Sequence, residues 1–209
     1  MSEIKNIIFD LGGVIINLDT IKTISEFNKL SELPFEAIYT QLQQSSVFDF
    51  FDKGLISESD FFVELKNVTQ SSSSENELKQ AWNAMLLDFP VHRLNLLKKI
   101  KSRYRLFLLS NTNETHVTEF EKTLLNSHHY KNLEPFFEKV YYSCRMQMRK
   151  PDVEIFNFVL TENGLNASET LFIDDSPQHV QGALKIGINA HLLPKAKEVE
   201  ELLKELNLI

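Results

Sequence analysis

The sequence predicts an α/β protein in which a doubly wound parallel sheet carries an inserted, all-helical subdomain. First, short apolar runs that are typical of strands buried on both faces alternate with helical patterns along most of the chain. Second, roughly 90 residues separate the first run from the second, and a compact sheet does not need so long a connection. We therefore assign residues 1–18 and 86–209 to the sheet-bearing core and residues 19–85 to the helical subdomain.

The predicted strands are five short apolar runs bounded by turn residues. They cover residues 7–9, 106–109, 140–142, 171–173 and 188–193. Because strands that alternate with helices pair in parallel, their carboxyl ends meet at one edge of the sheet. Open α/β sheets bind their ligands at that edge.

The apolar periodicity between these runs predicts helices in both parts of the chain. In the subdomain they are expected at 20–30, from Pro34 to about Gln44, after Ser57 and around 78–85. In the core they are expected from Pro90 to about Arg103, at 114–125, from Pro151 to Gly164, from Ser176 to Gly187 and around 199–206. Proline suits the first position of a helix, so Pro151 is expected to open its helix.

A stretch of aromatic residues at 48–51 lies in the subdomain, ahead of a turn expected at Gly54. Phe48, Phe50 and Phe51 could line a substrate pocket together with Asp49, or they could form the subdomain's core. We favour the core, because large aromatic side chains dominate small cores.

Composition argues against several classes of function. The chain of 209 residues has a net charge of −7 and no basic block, which disfavours nucleic acid as a partner. No apolar run approaches the roughly 20 residues that span a membrane, and the first residues run into a strand rather than a signal peptide. The single cysteine, Cys144, excludes an internal disulfide and suits a cytoplasmic location. We expect Cys144 to be inert and the pair His128 and His129 to lie at the surface.

The first predicted strand ends in Asp10, which is followed closely by Gly12 and Gly13. An unpaired carboxylate is costly to bury, so Asp10 is expected to project from the sheet edge. The two glycines permit a tight turn whose backbone approaches whatever Asp10 faces. The alternative is a solvated aspartate before an ordinary turn.

Other polar residues follow later strands and are expected at the same edge. Ser110 and Asn111 end the second strand, Asp174 and Asp175 end the fourth, and Lys150 stands at a helix start between them. Grouped carboxylates suit Mg²⁺, and one of them can act as a nucleophile. A hydroxyl with backbone N–H groups can hold a phosphate, while a lysine can stabilise charge on a phosphoryl group. Alternatively, the serine, asparagine and aspartates cap helices and the lysine is a surface residue.

Four short motifs resemble those of the haloacid dehalogenase-like hydrolase superfamily. They are, in chain order, Phe-Asp-Leu-Gly-Gly-Val at 9–14, Leu-Leu-Ser-Asn-Thr-Asn at 108–113, Met-Arg-Lys-Pro-Asp at 148–152 and Phe-Ile-Asp-Asp-Ser at 172–176. The resemblance covers essentially the whole chain and implies a Rossmann-like core with a helical cap. It is closest to the bacterial sugar-phosphate phosphatases that include α-glucose-1-phosphatase.

The resemblance implies a Mg²⁺ site at the sheet edge. Asp10 would be both the nucleophile and a metal ligand, and the backbone carbonyl of Gly12 would be a second ligand. Asp175 would be the second carboxylate ligand, and Asp174 would bind the metal directly or through a water molecule.

It also implies a phosphate site beside the metal. Ser110, the backbone of Asn111 and the turn at Gly12 and Gly13 would hold the phosphate of a small metabolite. Lys150 would stabilise the negative charge on the phosphate and on the nucleophile.

Gly12 departs from the family pattern, because phosphatases of this family usually carry a second aspartate there as general acid and base. Two alternatives to a phosphatase therefore stay open: a metal-independent dehalogenase that uses Asp10, and a phosphate-binding regulatory protein with little turnover. Dehalogenases usually lack an acidic pair like Asp174 and Asp175, so Mg²⁺-dependent hydrolysis of a phosphorylated metabolite is favoured.

Overall fold

A β-sheet lies at the centre of the part of the protein that carries the predicted strands. The computed structural model describes residues 3–31 and 46–209. Within these ranges five strands form a single sheet in the order β3-β2-β1-β4-β5, and every neighbouring pair is parallel. The strands are β1 (Asn6–Phe9), β2 (Arg105–Ser110), β3 (Lys139–Tyr142), β4 (Thr170–Asp174) and β5 (Asn189–Leu192). The predicted α/β class and its parallel sheet are confirmed.

The described part of the inserted subdomain at residues 19–85, called the block from here on, is helical. Its helices are α1 (Thr20–Leu30), α2 (Ser46–Asp52), α3 (Glu58–Thr69) and α4 (Glu75–Asn83). Side-chain caps explain three of the starts: Asp19 accepts from Ile21 N, Ser57 from Asp60 N and Ser74 from Glu77 N. The helix predicted from Pro34 to Gln44 lies outside the described residues.

The crossover helices of the core follow the strands in the predicted alternation. They are α5 (Val91–Ile100), α6 (Glu114–His128), α7 (Ser143–Met146), α8 (Val153–Asn163), α9 (Pro177–Leu184) and α10 (Val199–Glu205), with a 3₁₀ turn at Ala167–Glu169. Pro151 does not open α8 as predicted, because the helix starts two residues later, with Asp152 at the cap position. No helix in the described ranges is both long and apolar enough to cross a membrane.

Successive residues of the central strands alternate between two hydrophobic cores, one on each face of the sheet. On β1, Ile7 and Phe9 pack into one core and Ile8 into the other, and all three side chains are fully buried. On β4, Ile173 and Phe172 divide in the same way. A sheet with both faces covered explains why the strands read as continuous apolar runs.

The inserted block has a third core of its own, which is rich in aromatic side chains. Phe61 is fully buried there, with ring centroids 3.9 Å from Phe51 and 5.1 Å from Phe48. Phe50, by contrast, is 42% exposed. The aromatic stretch thus contributes mainly to the block's core, and it forms α2 ahead of the turn at Gly54.

Two antiparallel segments connect the block to the sheet. Asn17 N donates to the carbonyl of Asp88 and Leu87 N donates to that of Asn17, at 2.9 and 3.0 Å. Leu18 and Leu86 face each other across this pair. The first connecting segment follows the Asp10 loop directly, and the second pairs with it on the way back to the core. The block therefore lies beside the carboxyl edge of the sheet.

Candidate active site

Asp10 sits at the carboxyl end of β1, and only 7% of the residue is exposed. Its backbone N–H donates to the carbonyl of Ile173 on β4 at 2.9 Å, so the pairing of the two strands places it. Burial raises the pKa of Asp10, and the neighbouring Asp174 adds to that rise while Lys150 opposes it. Asp10 is therefore not the solvated aspartate of the alternative interpretation.

Lys150 lies beside Asp10 and is completely buried. Its ammonium group donates to Asp10 Oδ1 at 2.7 Å, to Asp174 Oδ2 at 2.6 Å and to the carbonyl of Leu109 at 2.8 Å. Burial by itself lowers the pKa of Lys150, but the two carboxylates outweigh burial and raise the pKa above its ordinary value. The interpretation of Lys150 as a surface lysine is wrong.

Three carboxylates converge at this edge. Asp10, Asp174 and Asp175 each offer an oxygen, and these oxygens lie within 4.8 Å of one another. Burial, followed by the charge of Asp174, raises the pKa of Asp175. An all-oxygen donor set of this size suits Mg²⁺, so the residues present fit the metal that the motifs imply.

The two aspartates of the acidic pair differ in how they are held. Asp174 accepts a hydrogen bond from Ser176 N at 2.8 Å, lies 3.0 Å from His179 Nδ1 and also binds Lys150. Asp175 lies against the turn at Gly13, where φ is +68° and a side chain would overlap its carboxylate. Gly13 thus lets the backbone approach the acidic cluster, as the Gly-Gly sequence predicts.

Ser110 is the last residue of β2 and Asn111 follows it, and neither caps the helix that comes next. The cap of α6 is Asn113, whose Oδ1 accepts from His116 N at 3.0 Å. The Asn111 side chain instead binds the backbone of Lys150: Nδ2 donates to its carbonyl at 2.8 Å, and Lys150 N donates to Oδ1 at 2.9 Å. Asn111 therefore holds the loop that presents the lysine.

A cavity of about 140 Å³ opens between these groups. Its polar lining includes Asp10, Ser110, Asn111, Asp175 and His179. Its lining also includes the apolar side chains of Ile16, Leu18, Leu86 and Phe120, and the ring of His116. Of the predicted site residues, Asp10, Gly12, Ser110, Asn111 and Asp175 line this opening, while Lys150 and Asp174 are fully buried beside Asp10.

Two histidines at this cavity were not singled out from the sequence. His179 lies on the first turn of α9 and contacts Asp174, with its Nε2 3.5 Å from the Asn111 side chain. His116 stacks on Trp82 of the block, and its Nε2 lies 3.2 Å from the Trp82 carbonyl. The position of His179, five residues after Asp174 on a helix that begins at the sheet edge, is a signal that could have found it.

Polar contacts join the block to the loops of the site. Arg149, next to Lys150, binds Asp49 of α2 at 2.8 Å. Ser143, fully buried, accepts a hydrogen bond from Thr112 N at 2.9 Å and donates to the carbonyl of Asp52 at 2.6 Å. These contacts tie the loop after β2 and the loop before Lys150 to the inserted block.

Cys144 and the histidine pair take no part in this site. Burial, then the charge of Glu114, raises the pKa of the Cys144 thiol to about 12, which fits the expected lack of reactivity. His128 Nε2 lies 2.7 Å from the carbonyl of Phe89, and His129 is exposed at the end of α6.

Comparison with known proteins identifies the class to which this fold and site belong. A family model described as haloacid dehalogenase-like hydrolase matches residues 7–193. The match covers most of the chain, so the protein belongs to the haloacid dehalogenase-like (HAD) hydrolase family.

Individual relatives are similar over nearly their whole length. D-ribitol-5-phosphate phosphatase of Bacteroides thetaiotaomicron is 30% identical over 184 residues, which make up 88% of this chain and 89% of the relative. A HAD family enzyme of the same species, solved in complex with magnesium and inorganic phosphate, is 35% identical with a TM-score of 0.85 over 95% of this chain and 98% of its own. A HAD-like family hydrolase from Porphyromonas gingivalis is 29% identical with a TM-score of 0.86, covering 98% of both chains.

Proposed function

We propose that this protein is a Mg²⁺-dependent phosphatase that hydrolyses a small phosphorylated metabolite through an aspartyl-phosphate intermediate on Asp10. The family and its phosphatase relative make the chain a phosphoric monoester hydrolase. The observation that carries the mechanism is the buried ammonium of Lys150 between Asp10 and Asp174, with Asp175 beside them.

In the first half of the reaction, a carboxylate oxygen of Asp10 attacks phosphorus. The bond between phosphorus and the ester oxygen breaks, and its electron pair leaves with the alcohol oxygen. Lys150 holds one carboxylate oxygen of Asp10 at 2.7 Å, which leaves the other free to attack. In the second half, a water oxygen attacks phosphorus, the bond between phosphorus and the Asp10 oxygen breaks with its electron pair returning to the carboxylate, and the two protons of the water leave on inorganic phosphate and the departed alcohol.

Asp10, Asp175 and the backbone carbonyl of Gly12 would hold Mg²⁺, with Asp174 binding it through water or directly. The bound ion would neutralise charge on the transferring phosphoryl group. Among these ligands, Asp174 already has both oxygens engaged by Lys150, His179 and Ser176 N, which supports the outer role for it.

Ser110 and the backbone of Asn111, together with the turn at Gly12 and Gly13, would hold the phosphate oxygens. Ser110 is 3% exposed, and the nearest partner of its hydroxyl is a carbonyl at 3.5 Å. A hydroxyl held this loosely beside Asp10 can turn toward a phosphate. The contact between Asn111 and the Lys150 backbone would keep the two sides of that phosphate site in register.

The proposed substrate class is a sugar phosphate or sugar-alcohol phosphate. A cavity of about 140 Å³ fits a small metabolite. A relative with 30% identity acts on D-ribitol 5-phosphate, which supports a polyol phosphate. We further propose that residues 19–85 form a cap over the site, a division supported by the block's separate core and its two antiparallel connections.

A substrate screen with and without metal tests this function. D-ribitol 5-phosphate, ribose 5-phosphate, glucose 1-phosphate and 4-nitrophenyl phosphate would be incubated with the protein in Mg²⁺ and in a chelator, with release of phosphate measured. We expect turnover of one sugar or polyol phosphate in Mg²⁺ and its abolition by chelator, because three clustered carboxylates repel one another without a cation.

Other outcomes would support the alternatives. Full activity in chelator together with chloride release from a 2-chloro acid would establish a dehalogenase. Tight phosphate binding with negligible hydrolysis of every ester would establish the regulatory protein.

A further inference from the structure

We propose that Leu18 takes the volume that a side chain at position 12 would fill and forms the apolar wall against which the substrate's leaving group packs. This inference rests on the proposed phosphatase function and specifies the substrates that the site accepts. Among the sugar and polyol phosphates proposed above, and among other esters, turnover should be fastest where the carbon next to the ester oxygen offers an apolar surface and the alcohol can leave without a proton from position 12.

The geometry at Gly12 leads to this inference. A Cβ built on Gly12 would lie 3.8 Å from Asp10 Oδ2, so a side chain there would point toward the attacking carboxylate. The same Cβ would lie only 2.6 Å from Leu18 Cδ1 and 3.6 Å from Leu18 Cγ. The backbone of Gly12 lies outside the left-handed region, so a side chain there would meet the end of the Leu18 side chain, which would have to move, rather than backbone strain.

Leu18 is held in this place by the connection between sheet and block. It pairs with Leu86 on the antiparallel connecting segment, and both line the cavity beside Asp10. Leu18 remains 38% exposed although it is apolar and sits beside a charged site. An exposed leucine at the mouth of a small cavity gains by covering the carbon atoms of a ligand.

The chemistry of the leaving group follows from this packing. In phosphoryl transfer, negative charge builds on the departing oxygen, and a positioned acid contributes about 10²–10⁴-fold by protonating it. An apolar leucine provides contact but no proton. Esters with an acidic alcohol, such as aryl phosphates and sugar 1-phosphates, should therefore turn over faster than simple alkyl phosphates bound equally well.

A double-mutant cycle tests the shared volume. The variants are G12D, L18A and the combination of both, assayed on phenyl phosphate and on glycerol 3-phosphate in Mg²⁺. We expect G12D alone to change kcat on glycerol 3-phosphate by less than threefold. In the L18A background we expect the same aspartate to raise it at least tenfold, while phenyl phosphate gains little. Equal effects of G12D in both backgrounds would overturn the inference.

A binding measurement tests the wall without turnover. In the D10N background, L18A should weaken binding of phenyl phosphate about fivefold and leave inorganic phosphate within twofold. Leu125→Ala is the matched control, because Leu125 is 44% exposed on α6 and away from the site. L18M keeps the apolar volume and should restore binding. No difference between L18A and Leu125→Ala, or no binding of phenyl phosphate to the D10N protein, would refute the wall.

Because the second arm needs no hydrolysis, the two proposals fail separately. A protein that hydrolyses no phosphate ester but shows the differential binding would disprove the phosphatase and keep the wall. A protein that hydrolyses esters with the same selectivity whether residue 18 is leucine or alanine would keep the phosphatase and disprove the wall.

Discussion

The sheet edge and the inserted block are stabilised by opposite means. At the sheet edge, the fully buried charges of Lys150 and Asp174 meet at 2.6 Å, with the carboxylate of Asp10 alongside. In the block, Phe61 and its buried aromatic neighbours form an apolar cluster, and the partly exposed Lys79 ammonium lies 5.7 Å from the Phe62 ring. Buried charges are costly unless every partner is in place, whereas apolar contacts tolerate adjustment.

This contrast suggests that the two regions have different roles, one in the chemistry and one in contacting the substrate. The groups proposed for chemistry stand on strand ends whose positions are set by the parallel ladder, which suits a site that needs fixed geometry. Leu18, which we propose contacts the leaving group, and its partner Leu86 stand on the connections to the block. Substitutions at the sheet edge should therefore change kcat most, and substitutions on the block side should change stability or KM.

The largest effect is expected at the nucleophile. Asp10→Asn should lower turnover by several orders of magnitude, because no carboxylate remains to form the intermediate. The fold should persist, since removing one of three clustered negative charges relieves repulsion. Phosphate release and far-UV circular dichroism measure the two effects, and Asp60→Asn on α3 is the control. Activity within about tenfold of wild type would show that Asp10 is not the nucleophile.

The block's core should affect stability more than chemistry. Phe61→Ala should cost about 3–5 kcal/mol of unfolding free energy, the range for a fully buried phenylalanine. Phe172→Ala on β4 should cost a similar amount and should also lower kcat, because the Lys150 ammonium lies 5.4 Å from the Phe172 ring. Denaturant unfolding measures the loss of stability in each variant. The kcat of each, measured at a temperature where both are folded, shows whether only Phe172→Ala affects the chemistry. An equal loss of kcat in both would break the contrast.

Two neighbouring basic residues contact different regions: Lys150 lies at the sheet edge, and Arg149 pairs with the block. Their substitutions should therefore change different kinetic constants. Lys150→Ala should lower kcat by roughly 10²-fold or more, on the scale of removing a preorganised electrostatic group. Arg149→Ala, which breaks the ion pair with Asp49 of α2, should act mainly on KM. Steady-state kinetics of both variants provide the comparison. A nearly silent Lys150→Ala would remove that residue from the proposed mechanism, and Lys150→Met, which retains the buried stem, checks that misfolding is not the cause.

The smallest effect concerns the junction of the two regions at His116. Burial lowers the pKa of His116 to about 4, although the bond to the Trp82 carbonyl opposes the shift. Between pH 6.5 and 4 the unfolded chain binds a proton that the folded protein does not, so stability is lost as the pH falls through this range. At pH 5 the loss should be about 2 kcal/mol relative to pH 7.

His116→Gln should flatten this dependence, and His129→Gln at the exposed end of α6 should not. Unfolding free energies from urea titrations between pH 4.5 and 7 measure the slope. The same slope in His116→Gln and in the wild type would assign the pH dependence to other groups.

Much of the site could be predicted from sequence because its parts are local. The run that ends in Asp10 and the run that ends in Asp174 are each short, apolar and terminated by a carboxylate, and parallel pairing brings such ends to one edge. The glycine pair after Asp10 predicted a tight turn, and Gly13 adopts a positive φ, as glycines in such turns often do.

The sequence was least informative where side chains bind partners far along the chain. Asn111 was open to interpretation as a helix cap, but its amide binds the Lys150 backbone 39 residues away. Pro151 was predicted to begin a helix, but the loop that carries Lys150 into the site extends to Asp152 before α8 begins. Local propensity does not include such contacts, and tertiary structure overrides it.

The sequence by itself determined the α/β class, the parallel sheet and the types of residue at its carboxyl edge, because these follow from periodicity and from the ends of apolar runs. Only the tertiary structure decided that Lys150 is fully buried between two carboxylates, that His179 contacts Asp174 and that Leu18 takes the space beside Gly12. The physical reason is distance along the chain. Contacts between residues that are remote in sequence depend on how whole elements pack, and no local pattern encodes that packing.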